Sequence, residues 1–207
     1  MAALTSAQAF GASIIEVGEM DSEAYRANRG DRCYHCKKAL FTNLQGIRLE
    51  RQLAVLVDGS NRDDLGDDRP GRRAALEAGV RSPLMELGLG KQQVRAAARA
   101  LGLPQWDKPA MACLASRVPV GTAVTTAALL CIGSAEELLH GLGFRQYRVR
   151  DEHPTARTEL LPEEMERALS LRQEIVAVFV SLGYGRVALD LAGYGQRGIQ
   201  QQIKDSQ

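Results

Sequence analysis

The 207-residue chain carries 26 lysines and arginines against 25 acidic residues, for a formal net charge of +1, and is 45% hydrophobic and 25% charged. That is long enough to bury a proper core and ordinary for a soluble globular protein, and it lacks the basic excess of a non-specific polyanion binder, so no nucleic-acid partner is expected. No apolar run approaches the roughly 18 residues of a membrane span, and the N-terminal MAALTSAQAFGASIIEVGEM has no basic stretch ahead of an apolar core, so neither membrane insertion nor a secretory leader is expected.

In chain order, Ser13 to Val17 (SIIEV) reads as a short strand, and Lys37 to Arg51 as a helix with Leu40, Leu44 and Ile47 at helical spacing. Leu53 to Val57 (LAVLV) is a continuous aliphatic run, the pattern of a central parallel strand covered on both faces. Strand, helix, strand makes a βαβ unit, and ligands of such sheets bind beyond the carboxyl ends of the strands. The loop that follows, DGSNRDDLGDDRPG, is therefore the first place to look for a site. GKQQVRAAARALGLP predicts an amphipathic helix with Val94, Ala97, Ala98 and Leu101 on one face.

Prolines 109 and 119 exclude a long helix around Cys113. Beyond Gly121, TTAALLCIGSAEELLHGLG reads as a helix, then FRQYRVR and ARTELL as two strands turning at His153-Pro154. PEEMERALSLRQEIVAVFVSLG predicts one helix starting at Pro162, with Met165, Leu169, Arg172, Val176 and Phe179 at a three-four spacing. RVALDLAGYG reads as a last strand and loop, and the final QRGIQQQIKDSQ as a frayed end. These elements describe an α/β protein: a parallel-sheet domain over residues 1–123 and a smaller α+β domain over 124–207.

The chain's four cysteines suggest metal or catalytic use in a reducing, cytoplasmic compartment rather than a disulfide framework. Cys113 stands out, with Lys108 five residues before it and Arg117 four after, because cationic neighbours favour the nucleophilic, metal-binding thiolate. Cys33 and Cys36 form a Cys-x-x-Cys, a spacing that grips one metal ion or forms a redox pair. If Cys113 joins them, three thiolates could hold a four-iron cluster with one iron open to an external ligand. Cys131, inside an apolar helix, reads as a packing residue.

In the Asp58–Arg73 stretch, Gly59, Ser60 and Asn61 can offer backbone N–H groups and short polar side chains to a phosphate. Asp63, Asp64, Asp67 and Asp68 could hold Mg²⁺, and Arg69, Arg72 and Arg73 could fork a carboxylate or phosphate. A solvated mixed-charge loop is the plain alternative. Arg148, Arg150, Arg157, Glu159 and Asp190 form a third polar group, more ordinarily a solvated sheet face.

NRGDRCYHCK, DGSNRDDLGDDRPGRRAALEAGVRSPL, GLPQWDKPAMACLASRVPVG and RTELLPEE together resemble the ATP-dependent sulfur transferases of the LarE family, makers of the nickel-pincer nucleotide cofactor of lactate racemase. The resemblance runs over nearly the whole chain and implies a pyrophosphatase-type (adenine nucleotide alpha hydrolase-like) nucleotide-binding domain. It implies that ATP, with Mg²⁺, activates a carboxylate of a pyridinium biscarboxylic acid mononucleotide, that Cys113 delivers sulfur to give a thiocarboxylate, and that the protein is a homo-oligomer. Some members give up the cysteine's own sulfur. Others, with a pair like Cys33/Cys36, look like carriers of a 4Fe-4S cluster on three cysteines that passes on sulfide. Having all three cysteines, this chain resembles the second group.

The resemblance places Asp58, Ser60, Asn61 and Asp64 around the nucleotide and Trp106 beside the site. Ser116 and Arg117 would line the substrate's phosphate or carboxylate, with Arg150 and Arg157 facing it from the second domain. One departure is plain: the family's Ser-Gly-Gly-x-Asp-Ser phosphate loop has no counterpart, since the sequence contains no Gly-Gly pair. Such loops bind phosphate through amides at a helix N-terminus. A truncated domain is therefore expected. The rival reading is a non-catalytic isoform or metal-binding partner subunit that cannot activate substrate with ATP. A Cys-x-x-Cys disulfide reductase ranks last, since it leaves Cys113 unexplained.

Overall fold

The computed structural model describes residues 22–66, 70–108 and 111–195, together with residues 12, 14, 15, 18 and 20. It divides into two compact units, Met1–Ala110 and Met111–Gln207. The segment from Met111 to Val124 belongs with the second, whereas its composition suggests a boundary near 124. The physical reason is a buried ion pair: Arg117, 1% exposed, is tied to Glu136 on the helix that follows.

The first unit is helical: α1 (Glu23–Ala27), α2 (Arg32–Glu50), α3 (Pro70–Glu77), α4 (Pro83–Glu86) and α5 (Lys91–Ala100), with a 3-10 turn over Arg62–Gly66. Ser22 caps α1, its Oγ accepting from the Tyr25 amide, and Asn28 ends it in the left-handed conformation. Phe41 of α2 packs with Ala74, Ala75 and Val80, with Leu44 and Leu56 at the margin. Leu40, Leu44 and Ile47 are half-buried, as their spacing predicts.

Leu53 to Val57 departs from the expected central strand. It is extended and makes a single parallel bridge, Val57 to Arg81, and Leu53, Val55 and Val57 are 51%, 45% and 58% exposed. Among the described residues no second strand pairs with it, so the run has the composition of a buried strand without the covering layers. The α5 helix forms where expected, but none of its residues is buried and Leu101 projects into solvent. The expected strand Ser13–Val17 lies largely outside the described residues; Ile14 and Ile15, the two that are described, are exposed and form no strand. Residues 67–69 and the C-terminal stretch from 196 onward also lie outside them.

The second unit holds helix α6 (Thr126–Gly141), strands β1 (Tyr147–Glu152), β2 (Thr155–Leu160) and β3 (Arg186–Leu189), and helices α7 (Met165–Ser170) and α8 (Arg172–Ser181). β1 and β2 form an antiparallel hairpin through the His153-Pro154 turn, and β3 adds in parallel to β2, giving a small mixed sheet. The protein is thus α/β. Ala135 and Leu139 of α6 pack on Tyr147, Val149, Ala156 and Leu160 of the sheet and on Ile175, Phe179 and Tyr184. The helix predicted from Pro162 begins as a 3-10 turn over Pro162–Glu164 and breaks at Leu171. Its buried positions are Glu164, Ala168, Ile175 and Phe179, while Leu169 and Val176 face outward. The apolar spacing identified a helix and placed Phe179 inward, but set Leu169 and Val176 there too, whereas Glu164 and Ala168 occupy inward positions that pattern reading assigns to larger apolar residues.

Candidate functional site

Two loops carry the residues singled out from the sequence, one in each unit. In the first unit, Asp58 follows the Leu53–Val57 run, and its amide donates to the Arg81 carbonyl (2.9 Å). Its carboxylate accepts from Ser82 Oγ (2.7 Å), Ser60 Oγ (2.8 Å) and the Ser60 amide (3.1 Å). Burial alone would push this carboxyl up, but the Ser82 and Ser60 bonds, with the nearby Lys37 charge, outweigh it and hold it below its ordinary value. Ser82 is a member that sequence reasoning did not single out; it lies 24 residues from Asp58, near the end of the same family-like stretch.

Asn61 is likewise engaged, its Oδ1 accepting from the Asp63 amide (3.0 Å), while Asp64 Oδ2 accepts from the Asn61 amide (3.0 Å). Asp63 Oδ2 accepts from the Lys91 amide (2.8 Å), and Gln93 accepts from the Gly90 amide, so the start of α5 is satisfied by an acid from the loop. The acids expected to hold Mg²⁺ therefore also build the loop. Asp67, Asp68 and Arg69 lie outside the described residues.

Cys33 and Cys36 sit one turn apart in the first turns of α2, Cys33 exposed and Cys36 half-buried. Their helix meets α3 at Gly71, where a Cβ would come within 3.0 Å of the Lys37 side chain and 3.4 Å of the Cys33 carbonyl. At i and i+3 the two thiols share one face of the helix. The third, Cys113, belongs to the other unit, and among the described residues no group of three or more His, Cys, Asp or Glu is placed to hold a metal. The three-thiol centre is not assembled within either unit. Trp106, half-exposed, stacks with the Arg99 guanidinium (4.9 Å) in an open groove of about 620 Å³ along α5.

The second unit's loop is built differently. Cys113 is exposed and stands at the head of a 3-10 turn, Leu114–Arg117, closed by the Ser116 amide donating to the Cys113 carbonyl (2.9 Å). Arg117 folds back beneath it. Its Nη1 donates to the Ala112 carbonyl (2.8 Å), the Cys113 carbonyl (3.1 Å) and Ser116 Oγ (3.0 Å). Its Nε and Nη2 fork onto the two oxygens of Glu136 (2.7 and 3.1 Å). Arg117 was expected to line a ligand; instead it is sealed inside, its charge matched by Glu136. Glu136 was missed, yet its signal was present: with Ile132, Ala135 and Leu139 it occupies the buried stripe of α6, where an acid requires a partner.

The outer face of the sheet adjoins this loop. Arg148, Arg150 and Arg157 share it with Glu159, because residues two apart on a strand share a face. Arg150 lies directly opposite Arg157, a like-charge pair that costs stability unless an anion intervenes. Glu159 intervenes: its carboxylate accepts from Arg150 Nε (2.8 Å), Arg157 Nη1 (3.1 Å) and Arg148 Nη1 (3.0 Å). Arg157 also reaches Glu152 (2.9 Å) and Asp190. The hydrogen bond to Glu152, with the Glu159 and Asp190 charges, outweighs burial and raises its proton affinity further. Arg148 stacks on Tyr194 (4.8 Å), and its Nε is buried without a hydrogen-bond partner among the described residues. Arg150 Nη1 donates to the Ser116 carbonyl (2.8 Å). An exposed thiol and a partly exposed arginine face are thus joined through one residue, Ser116.

No family model matches the chain. Among curated proteins it is 34% identical to a pyridinium-3,5-bisthiocarboxylic acid mononucleotide synthase from Lactiplantibacillus plantarum, over 93% of this chain and 70% of that protein. The chain belongs to the LarE family. It is also 44% identical, over 87% of its length and 68% of the relative's, to the uncharacterized protein slr1717 of Synechocystis. A third relative, the uncharacterized protein MJ0830 of Methanocaldococcus jannaschii, is 31% identical over 81% of this chain and 65% of its own length.

Proposed function

We propose that this LarE-family chain is a sulfur transferase of nickel-pincer cofactor biosynthesis, converting an ATP-activated carboxylate of a pyridinium biscarboxylic acid mononucleotide to a thiocarboxylate, with Cys113 delivering the sulfur. The observation that carries this reading is the presentation of Cys113: an exposed thiol on a loop pinned from below by a buried arginine and held against an arginine-rich face. Arg148, Arg150 and Arg157 suit a substrate bearing one phosphate and two carboxylates, since guanidinium forks match both groups. Ser116 joins the two parts, its carbonyl held by Arg150 and its hydroxyl by Arg117.

The chemistry follows in balanced steps. A substrate carboxylate oxygen attacks the α-phosphorus of ATP and pyrophosphate leaves, giving an acyl adenylate. The Cys113 thiolate attacks the acyl carbon and AMP departs, leaving a thioester. Loss of the Cys113 Cα proton with cleavage of its Cβ–S bond then releases the thiocarboxylate and leaves dehydroalanine at position 113. In this reading the Asp58–Asp64 loop, within the pyrophosphatase-type domain, receives the nucleotide through Asp58, Ser60, Asn61 and Asp64, with Mg²⁺ as its counter-ion. These carboxylates already accept main-chain and serine hydrogen bonds, so no step is assigned to a protein-held metal. The protein acts in the cytoplasm as a homo-oligomer.

The test is anaerobic turnover with Mg-ATP and the mononucleotide, followed by the mass of the Cys113 peptide. Product together with loss of one hydrogen sulfide at Cys113 is the expected result. Product with an intact Cys113 would replace side-chain donation by delivery of sulfide carried on the three cysteines. No product and no ATP binding would favour the second reading, a metal-binding partner subunit, for which the Cys33/Cys36 pair in the first turns of α2 is the motivating observation.

A further inference from the structure

We propose that Glu136 is a positioning residue for sulfur transfer: through Arg117 it sets the backbone of the Cys113 loop, without contacting the thiol or the substrate. The inference rests on the reading of Cys113 as sulfur donor and concerns how that thiol is held. Glu136 is 5% exposed and serves three parts of the unit at once. It lies on α6, accepts both forks of Arg117, and accepts from the Val149 amide of β1 through Oε1 (3.0 Å). Arg117 then spends its remaining Nη1 on the carbonyls of Ala112 and Cys113 and on Ser116 Oγ. The loop's own contribution is one short turn, closed by the Ser116 and Val118 amides.

This division of labour is physically specific. A loop that must expose a thiol cannot bury that thiol to fix its own shape, so its order has to come from underneath. A guanidinium is suited to this because its five donors lie in one rigid plane and can span a carboxylate on one side and carbonyls on the other. A buried guanidinium is tolerated only with a matched anion, and an isolated one carries a large desolvation cost. Glu136 is that anion, and Val149 registers it against the sheet bearing the arginine face. The distance between the thiol loop and that face is therefore set by the Glu136 carboxylate, through Arg117 on one side and β1 on the other.

The experiment compares Glu136→Gln and Arg117→Lys with wild type and with Glu164→Gln. Glu164 is another buried acid of the same unit, which accepts only from the Arg145 amide among the bonds described. Glu136→Gln keeps the shape but loses the charge and one fork. Arg117→Lys keeps the charge pair but cannot reach the carboxylate and both carbonyls together. Two quantities are read at a temperature where each variant is folded: amide exchange at Ser116 and Val118, and single-turnover thiocarboxylate formation from the mononucleotide and Mg-ATP.

Both test variants should lose at least tenfold of the exchange protection and at least tenfold of the single-turnover rate, with half-saturating substrate within twofold of wild type. Glu164→Gln should change neither beyond twofold. Protection retained in both test variants overturns the clamp. Protection lost with the rate retained overturns the positioning role, and a rate loss that vanishes on cooling assigns Glu136 to stability alone. A wild-type chain that forms no product would instead refute the sulfur-donor reading, and the clamp would then stand or fall on exchange.

Discussion

The two loops that carry this protein's candidate chemistry contain similar residue types and use them in opposite ways. In Asp58–Asp64 the acids are short, lie near the surface and bond both within the loop and to two helix starts: Asp58 to Ser60 and Ser82, Asp63 to the Lys91 amide, Asp64 to the Asn61 amide. In Ala112–Arg117 the decisive charge is long, buried and bonded across the unit to α6. The first loop is held near the surface by short bonds to itself and to the starts of α4 and α5; the second is shaped from beneath by its core. A ligand meeting the first competes with local hydrogen bonds, whereas one meeting the second finds a thiol on a fixed platform.

Substitutions can break this contrast. The largest effect on activity belongs to Cys113→Ala: thiocarboxylate formation should fall to background, while stability stays within about 0.5 kcal/mol because the side chain is exposed. Product assay alongside denaturant unfolding checks both halves. The largest effect on stability belongs to Arg117→Met, which strands Glu136 in the core and should cost about 3–5 kcal/mol. Asp63→Ala should cost only about 1 kcal/mol, the ordinary loss for an acceptor at a helix start. Equal losses in urea titrations would erase the distinction between a loop held at the surface and one held by the core.

Asp58 sharpens the comparison through pH. Its carboxyl is held below its ordinary value of 3.8, so the unfolded chain takes up the proton first. The stability it contributes is present above that value and is lost as pH falls through the lower folded value. Asp58→Asn should therefore lower stability slightly at neutral pH and flatten the acid side of the stability curve below about pH 4. An unchanged acid limb would mean that the Ser60 and Ser82 bonds do not persist in solution. The smallest effect is expected in the second unit's core. Tyr184, 3% exposed, has a hydroxyl without a hydrogen-bond partner among the described residues, and burial raises its proton affinity far above the ordinary value. Tyr184→Phe removes an unsatisfied group and should be neutral or stabilising by up to about 1 kcal/mol. A loss greater than that would reveal a partner for the hydroxyl.

The sequence was most legible where a local pattern and its tertiary role coincide. The β1–β2 hairpin alternates, turns at a proline and forms as written, and α6 and β3 do the same. Leu53–Val57 reads as a buried strand because composition reports what a segment could bury, whereas exposure depends on layers packed over it. The Pro162 helix failed in another way: of the stripe read from its spacing, Phe179 faces inward but Leu169 and Val176 do not. In the candidate site, Cys113 was visible as an unusual residue, whereas Ser116 and Arg150 were marked for the site only by the family resemblance. The role of Arg117 was not, because a cation four residues from a thiol looks available until the acid that claims it is found 19 residues further on. Glu159 was seen but read as part of a solvated face, since only the strand register shows it lying among three arginines.

That register bears on the order in which the second unit folds. The β1–β2 hairpin joins neighbouring segments and can close quickly, but β3 pairs in parallel with β2 only after the α7–α8 crossover has formed. During that interval Arg148, Arg150 and Arg157 already share one face, with Glu159 and Glu152 as counter-charges, and Asp190 has not yet arrived. The late strand therefore brings the charge that completes the face, and added salt, by screening the early repulsion, should accelerate refolding more than it alters final stability.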